Sequence, residues 1–193
     1  MFNNPYDFQF LGRKESISKQ IPSKLHYRFI AKKRSYFVTL EVLHSGIVAI
    51  KYCDVKDKGS HNAYKKIFND DDAFRVITTC LFIMLEYWKK SNSASFAFYA
   101  VPREWKEEFL KTKKIPFENK ENFVEVYKKT RFRIYNYAMV NLFPPTSFLH
   151  VRDTKNCLYV LINKLDKNPN ETMEELGNYL LKNCDLIFEP DEE

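Results

Sequence analysis

Three short runs of β-forming residues stand close together near the amino end of this chain. They are residues 26–31, Tyr36 to Leu43 and Ile47 to Cys53. Only the polar turns Lys32-Lys33-Arg34-Ser35 and His44-Ser45-Gly46 separate them. Strands joined by turns this short pair antiparallel, so the spacing predicts an antiparallel meander. A sheet of this kind has faces to bury, and the rest of the chain has to supply the cover.

The cover is legible in outline. Asp54 to Asp70 is polar and reads as a loop with one helical turn. The run from Phe74 to Trp88 is apolar on most sides and predicts a central helix. Asp70-Asp71-Asp72 suits its amino end, where carboxylates cap free amides, and Lys89-Lys90 suits its carboxyl end. Ser95 to Val101 alternates as a strand and stops at Pro102. Arg103 to Lys113 predicts a short helix with Trp105 and Phe109, and Lys111 to Asn119 a basic loop broken by Pro116. Asn122 to Leu142 reads as a long helix that ends before Pro144-Pro145. Its apolar stripe is Val124, Tyr127, Ile134, Tyr135, Ala138, Met139 and Leu142. Ser147 to Val151 and Leu158 to Asn163 predict two strands around the turn Arg152 to Asn156. Glu171 to Lys182 predicts an amphipathic helix, with Thr172 and Glu175 at capping-box spacing.

Residues 1–24 show little periodicity. They read as an amino-terminal arm in which Phe8, Phe10 and Leu11 pack on the body and Ser16 to Lys24 connects. The expectation is one domain: the arm 1–24, a core 25–163, and an acidic helix and frayed tail 164–193. The fold class is α+β, a mostly antiparallel twisted sheet with helices on its faces.

Charge is unevenly spread. The chain carries +6 overall, but residues 164–193 hold three Lys/Arg and nine Asp/Glu, which leaves +12 on the first 163 residues. Such a body attracts nucleic acid, an acidic protein or a phosphorylated ligand; the same lysines also keep an aromatic-rich domain in solution. No apolar run is long enough to cross a bilayer, and Met1 to Pro5 lacks signal-peptide order. A cytoplasmic protein without membrane contact is expected. Cys53, Cys80, Cys157 and Cys184 are scattered and read as buried free thiols. His26, His44, His61 and His150 form no short-range ligand pair, so no metal is expected.

The densest chemistry lies in Lys128-Lys129-Thr130-Arg131-Phe132-Arg133-Ile134-Tyr135-Asn136-Tyr137. On a helix, Lys128 and Arg131 are three apart and Lys129 and Arg133 four apart, which lines up a cationic ridge. Such a ridge neutralises phosphates, and Tyr137 beside it can stack on a base. The ridge also fits a solvated face, since Glu125 and Lys129 form a favourable i,i+4 pair. With seventeen Phe and twelve Tyr, some aromatics have to reach the surface, where they anchor protein partners.

The order of elements from Tyr36 to Asn163 resembles the GNAT N-acyltransferase superfamily, where a meander leads into a helix, a strand, a second helix and two closing strands. Small bacterial domains of unknown function show a similar order. Arg131 to Tyr135 resembles the part of the second helix that carries the family's frequent tyrosine general acid. The resemblance thus implies an acyl-CoA cofactor and places Tyr135 at the acid position. The chain departs from the family at the cofactor loop. There a Gln/Arg-x-x-Gly-x-Gly/Ala segment brings backbone amides to the coenzyme A pyrophosphate. Between Asp54 and Ala73 this chain has only Gly59, and its helix opens on Asn69-Asp70-Asp71-Asp72. A carboxylate about 4 Å from a phosphate costs on the order of 1–4 kcal/mol at a surface.

The expectation is therefore a non-enzymatic binding or interaction protein on a GNAT-like scaffold, without a cofactor. Its composition, rich in Lys, Asn, Phe and Tyr, suggests an accessory protein of a phage or mobile element. The alternatives are a divergent acyl-CoA-dependent N-acyltransferase with Tyr135 as acid, or a nucleic-acid-binding protein using Lys128, Lys129, Arg131, Arg133 and Tyr137.

Overall fold

The sheet begins one strand earlier than the sequence predicts. Phe8–Glu15 is strand β1, antiparallel to β2 (Ser23–Ile30), with Phe8 opposite Phe29 and Lys14 opposite Lys24. The arm is thus an edge strand. Its register shifts between Phe10 and Gly12, where Gly12 takes φ +135°, a bulge that L side chains resist. The computed structural model describes residues 4–15, 21–60, 72–99, 132, 135–184, 187 and 189–191.

The meander continues through β3 (Ser35–Val42) and β4 (Ile47–Asp54), both antiparallel to their predecessors. Gly46, at φ +86°, makes the turn between them. One 3-10 turn, Val55–Asp57, follows. Helix α1 (Ala73–Lys90) then leads to β5 (Ser95–Tyr99), which pairs parallel to β4. Helix α2 is described at residues 135–142. Strands β6 (Phe148–Asp153) and β7 (Leu158–Asn163) form a hairpin, and β7 inserts beside β5. Helix α3 (Pro169–Cys184) closes the order. Among the described residues the result is a seven-stranded, mostly antiparallel sheet, β1-β2-β3-β4-β5-β7-β6, in an α+β fold. The expected helix 103–113 and basic loop 111–119 lie outside the described residues.

Each face of the sheet has its own core. On one face, α1 and α2 bury Val76, Ile77, Cys80, Leu81, Ala138 and Met139 against Tyr27, Val38, Ile50, Phe96 and Phe98. Burying one such aliphatic side chain gains about 1.5–3 kcal/mol, several times the helix-propensity penalty of its β-branched members. On the other face, Leu176, Tyr179 and Leu180 of α3 pack on Ile47, Ala49, Ala97 and Val160. No helix among the described residues is long and apolar enough to cross a membrane.

Glu41 fastens α3 to the meander. Its buried carboxylate accepts from Lys24 Nζ at 2.7 Å, Lys51 Nζ at 2.9 Å and the Tyr179 hydroxyl at 2.6 Å. Burial works to raise its pKa, but the Lys51 charge and the three hydrogen bonds prevail and hold it at about 2.

One expected helix start is corrected, and a second falls where expected but without its cap bond. Helix α3 opens at Pro169, the first-turn position proline favours, and not at a Thr172 cap. Thr172 sits buried inside the helix and donates to Asp166 Oδ2, while Glu175 accepts from the backbone amides of His44 and Ser45. At α1, Asp72 occupies the cap position but makes no side-chain cap hydrogen bond; Asp70 and Asp71 lie outside the described residues.

At residues 189–191 the carboxyl-terminal tail is docked, where fraying was expected. Buried Asp153 accepts from the Glu189 amide, the Asp191 amide donates to the Arg152 carbonyl, and Asp191 accepts from the Thr154 amide.

Candidate functional site

The two parallel strands part company halfway along β4. Pairing runs from Ile47 with Ser95 to Ile50 with Phe98, and there it ends. Lys51 to Asp54 stay paired with β3, while Tyr99 pairs with Leu158 of β7. Alternation along β4 then points Tyr52 toward α2 and Lys51 toward α3.

The parting is filled by aromatic rings on the α2 side. Tyr135 is 1 % exposed. Its ring meets Phe98 edge-on at 4.2 Å between centroids, and its hydroxyl lies 3.2 Å from that of Tyr52. From Tyr52 the rings continue through Tyr36 and Phe29 to Tyr6 on the amino-terminal segment. Edge-on and offset contacts of this kind add to the area that the rings bury.

The row ends at the amino end of α1. The Tyr6 hydroxyl donates to Asp72 Oδ2 at 2.9 Å, and the Tyr6 amide donates to Thr79 Oγ1 at 2.9 Å. The Arg75 guanidinium lies 3.8 Å from the Tyr6 ring centre and donates to Asn4 and to the Pro5 carbonyl. The chain's own segment 4–7 is therefore strapped along the first turns of α1. A buried carboxylate stands where helix amides and dipole would otherwise favour an anion.

Of the residues singled out in the sequence, Tyr135 is a buried ring of the core, and Tyr137, two residues on, is 51 % exposed. Helix α2 thus separates the two tyrosines onto opposite sides. Lys128, Lys129, Arg131 and Arg133 lie outside the described residues. Sequence reasoning missed Tyr6 and Tyr52. Tyr52 carried a signal, an aromatic at an inward position of a predicted strand; Tyr6 carried none, because its partners Asp72 and Thr79 are remote in sequence.

A cavity of about 700 Å³ lies at the opposite end of β4, lined by His44, Ser45, Asp166, Lys167 and Glu175. Its inner carboxylates already serve the fold: Asp166 accepts from the Asn168 amide and the Thr172 hydroxyl, and Glu175 from two backbone amides. Among the described residues no three His, Cys, Asp or Glu side chains gather to hold a metal. Cys53, Cys80 and Cys157 are buried thiols and Cys184 is a half-buried one, none of the four in a disulfide. Burial pushes the Cys53 thiol up to about 11, away from nucleophilic use. No family model, curated protein or solved structure matches this chain.

Proposed function

We propose that this chain is a non-catalytic binding protein on a scaffold that resembles the GNAT N-acyltransferases. The carrying observation is the amino end of α1. Asp72 is buried there, hydrogen-bonded by Tyr6, and the strap of residues 4–7 lies over the adjoining turns. A pyrophosphate at this end would meet a carboxylate it cannot displace without breaking the strap. The aromatic filling around Tyr135 agrees with this reading, because a general acid has to reach its substrate. Calorimetry with acetyl-coenzyme A tests it. No heat of binding is expected; binding accompanied by acyl transfer to an amine would overturn it.

A second reading has its own observation. Strands β4 and β5 separate beyond Ile50 and Phe98, and two tyrosine hydroxyls meet at the parting. A divergent N-acyltransferase would use Tyr135 as its acid, and Tyr135→Phe would then abolish turnover. Unchanged turnover in that variant removes the role.

A further inference from the structure

A second cluster of charge and aromatic surface lies on the other side of the meander. Residues directly opposite in neighbouring strands share a face. Lys14 stands opposite Lys24, Gln9 opposite Arg28, His26 opposite Thr39, and Arg28 opposite Phe37. These side chains point away from α1 and α2. The core beneath α3 takes its strand residues from β4, β5 and β7 and includes none of β1 or β2.

The surface is built from cations around a ring pair. The His26 ring stacks on Phe37 at 5.0 Å, and Lys58 Nζ lies 3.8 Å from the Phe37 ring centre. Phe37 is the buried floor and His26 the half-buried ring above it. Lys14, Arg28 and Lys58 are exposed. Burial first, then the charges of Lys58, Lys14 and Lys24, hold the His26 imidazole below its ordinary pKa, with Glu41 acting the other way. Glu41 is already shared between Lys24, Lys51 and Tyr179, while Asp57 acts on Cys53, which packs with Phe37 on this face, against the opposing charge of Lys58. Lys24 has a place in the fold as a partner of Glu41, but Lys14 directly across from it adds a like charge that strand pairing disfavours.

We propose that this face binds single-stranded nucleic acid. Lys14, Lys24, Arg28 and Lys58 take the phosphates, and His26 offers its ring to a base. The spacing favours a linear polyanion over a single headgroup. Lys24, His26 and Arg28 recur every second residue of β2, about 7 Å apart, a straight row on a rigid sheet. A stacking ring requires an unpaired base, which a duplex conceals. A lipid surface would require a broad apolar face, and here Ile30, 67 % exposed, is the one large exposed aliphatic on this side of β2. The face lies across the sheet from Tyr135 and Asp72, so it goes beyond the cofactor question and fails or stands separately from it.

Fluorescence anisotropy with a labelled oligothymidylate or oligouridylate of about 16 nucleotides tests the proposal. Affinity should fall with salt at a log–log slope of about −3, the value for four phosphates on a single strand. Lys14→Glu with Arg28→Glu should weaken binding more than tenfold and flatten the slope by about 1.4. His26→Ala should weaken it roughly fivefold to a hundredfold with the slope unchanged. Lys89→Glu, an exposed change on α1, should leave both unaltered. If the double charge reversal unfolds, the single changes Lys14→Gln and Arg28→Gln replace it. Four results would overturn the proposal: no binding at about 50 mM salt, binding indifferent to positions 14 and 28, equal affinity for duplex, or capture by phosphatidylserine vesicles with none by the oligonucleotide.

Discussion

Removing the charge of Glu41 should make α3 the weak point of the molecule, and pH should show it. In the folded chain the Glu41 carboxyl is held at about 2, against an ordinary value of 4.5. Each pKa unit is worth about 1.36 kcal/mol, so the carboxylate contributes at most about 3 kcal/mol at neutral pH. Lys24 and Lys51 are a third and a quarter exposed, and solvent screening trims that figure. The group is depressed, so its contribution is complete above 4.5 and is lost as pH falls through the folded value. In urea unfolding near neutral pH, Glu41→Gln should cost about 2–3 kcal/mol. The gap between wild type and variant should shrink steadily below about pH 4.5 and close near pH 2. A gap of the same size across that window would refute the electrostatic account and leave only packing. Tyr179→Phe, which deletes one hydrogen bond to the same carboxylate, should cost about 1.5–3 kcal/mol.

Tyr135→Phe keeps the ring against Phe98 and loses the hydroxyl contact with Tyr52, so a thermal melt should report a loss of about 1 kcal/mol. Tyr135→Ala should cost about 3–5 kcal/mol in the same melt, as a large buried ring does. Tyr6→Phe breaks the hydroxyl link to Asp72 and leaves a buried carboxylate short of a partner, which should cost about 1–3 kcal/mol in urea titration. Burial lowers the pKa of His26 and of His150, so the unfolded chain binds protons more readily and stability should decline as pH drops below about 6.5. Replacing both by Gln should flatten that decline in melts taken from neutral to mildly acid pH.

The sequence made the meander legible because β2, β3 and β4 each bury at least one face and are bounded by polar turns. Strand β1 was hidden for the opposite reason. It is exposed along most of both faces, so its residues carry no burial pattern, and the bulge at Gly12 breaks what alternation Phe8 and Phe10 begin. The start of α3 misled because Glu175 has the spacing of a capping partner and spends its carboxylate on the turn at His44 and Ser45. Asp72 misled likewise: its type suits a cap, and a tyrosine remote in sequence claims it. At the candidate site, Tyr135 was readable as a stripe residue, whereas its neighbours Tyr52 and Phe98 depend on where two parallel strands stop pairing. The basic sheet face required register as well as composition, since alternation sets Lys24 and Arg28 on one side of β2 but only strand pairing brings Lys14 beside them.

The short parallel pairing of β4 with β5 has a kinetic consequence. On either side of it, the meander and the β6–β7 hairpin are joined by local connections, which close quickly. The β4–β5 ladder spans four residue pairs and cannot form until the whole stretch from Val55 to Ala94 has looped back. Loop closure of that length has to come before any reward in contacts. The two halves of the sheet are therefore set to assemble separately and join late, and the cores that span the junction, with Ile47, Ala49 and Ala97 on one face and Ile50, Phe96 and Phe98 on the other, are completed only at that last step.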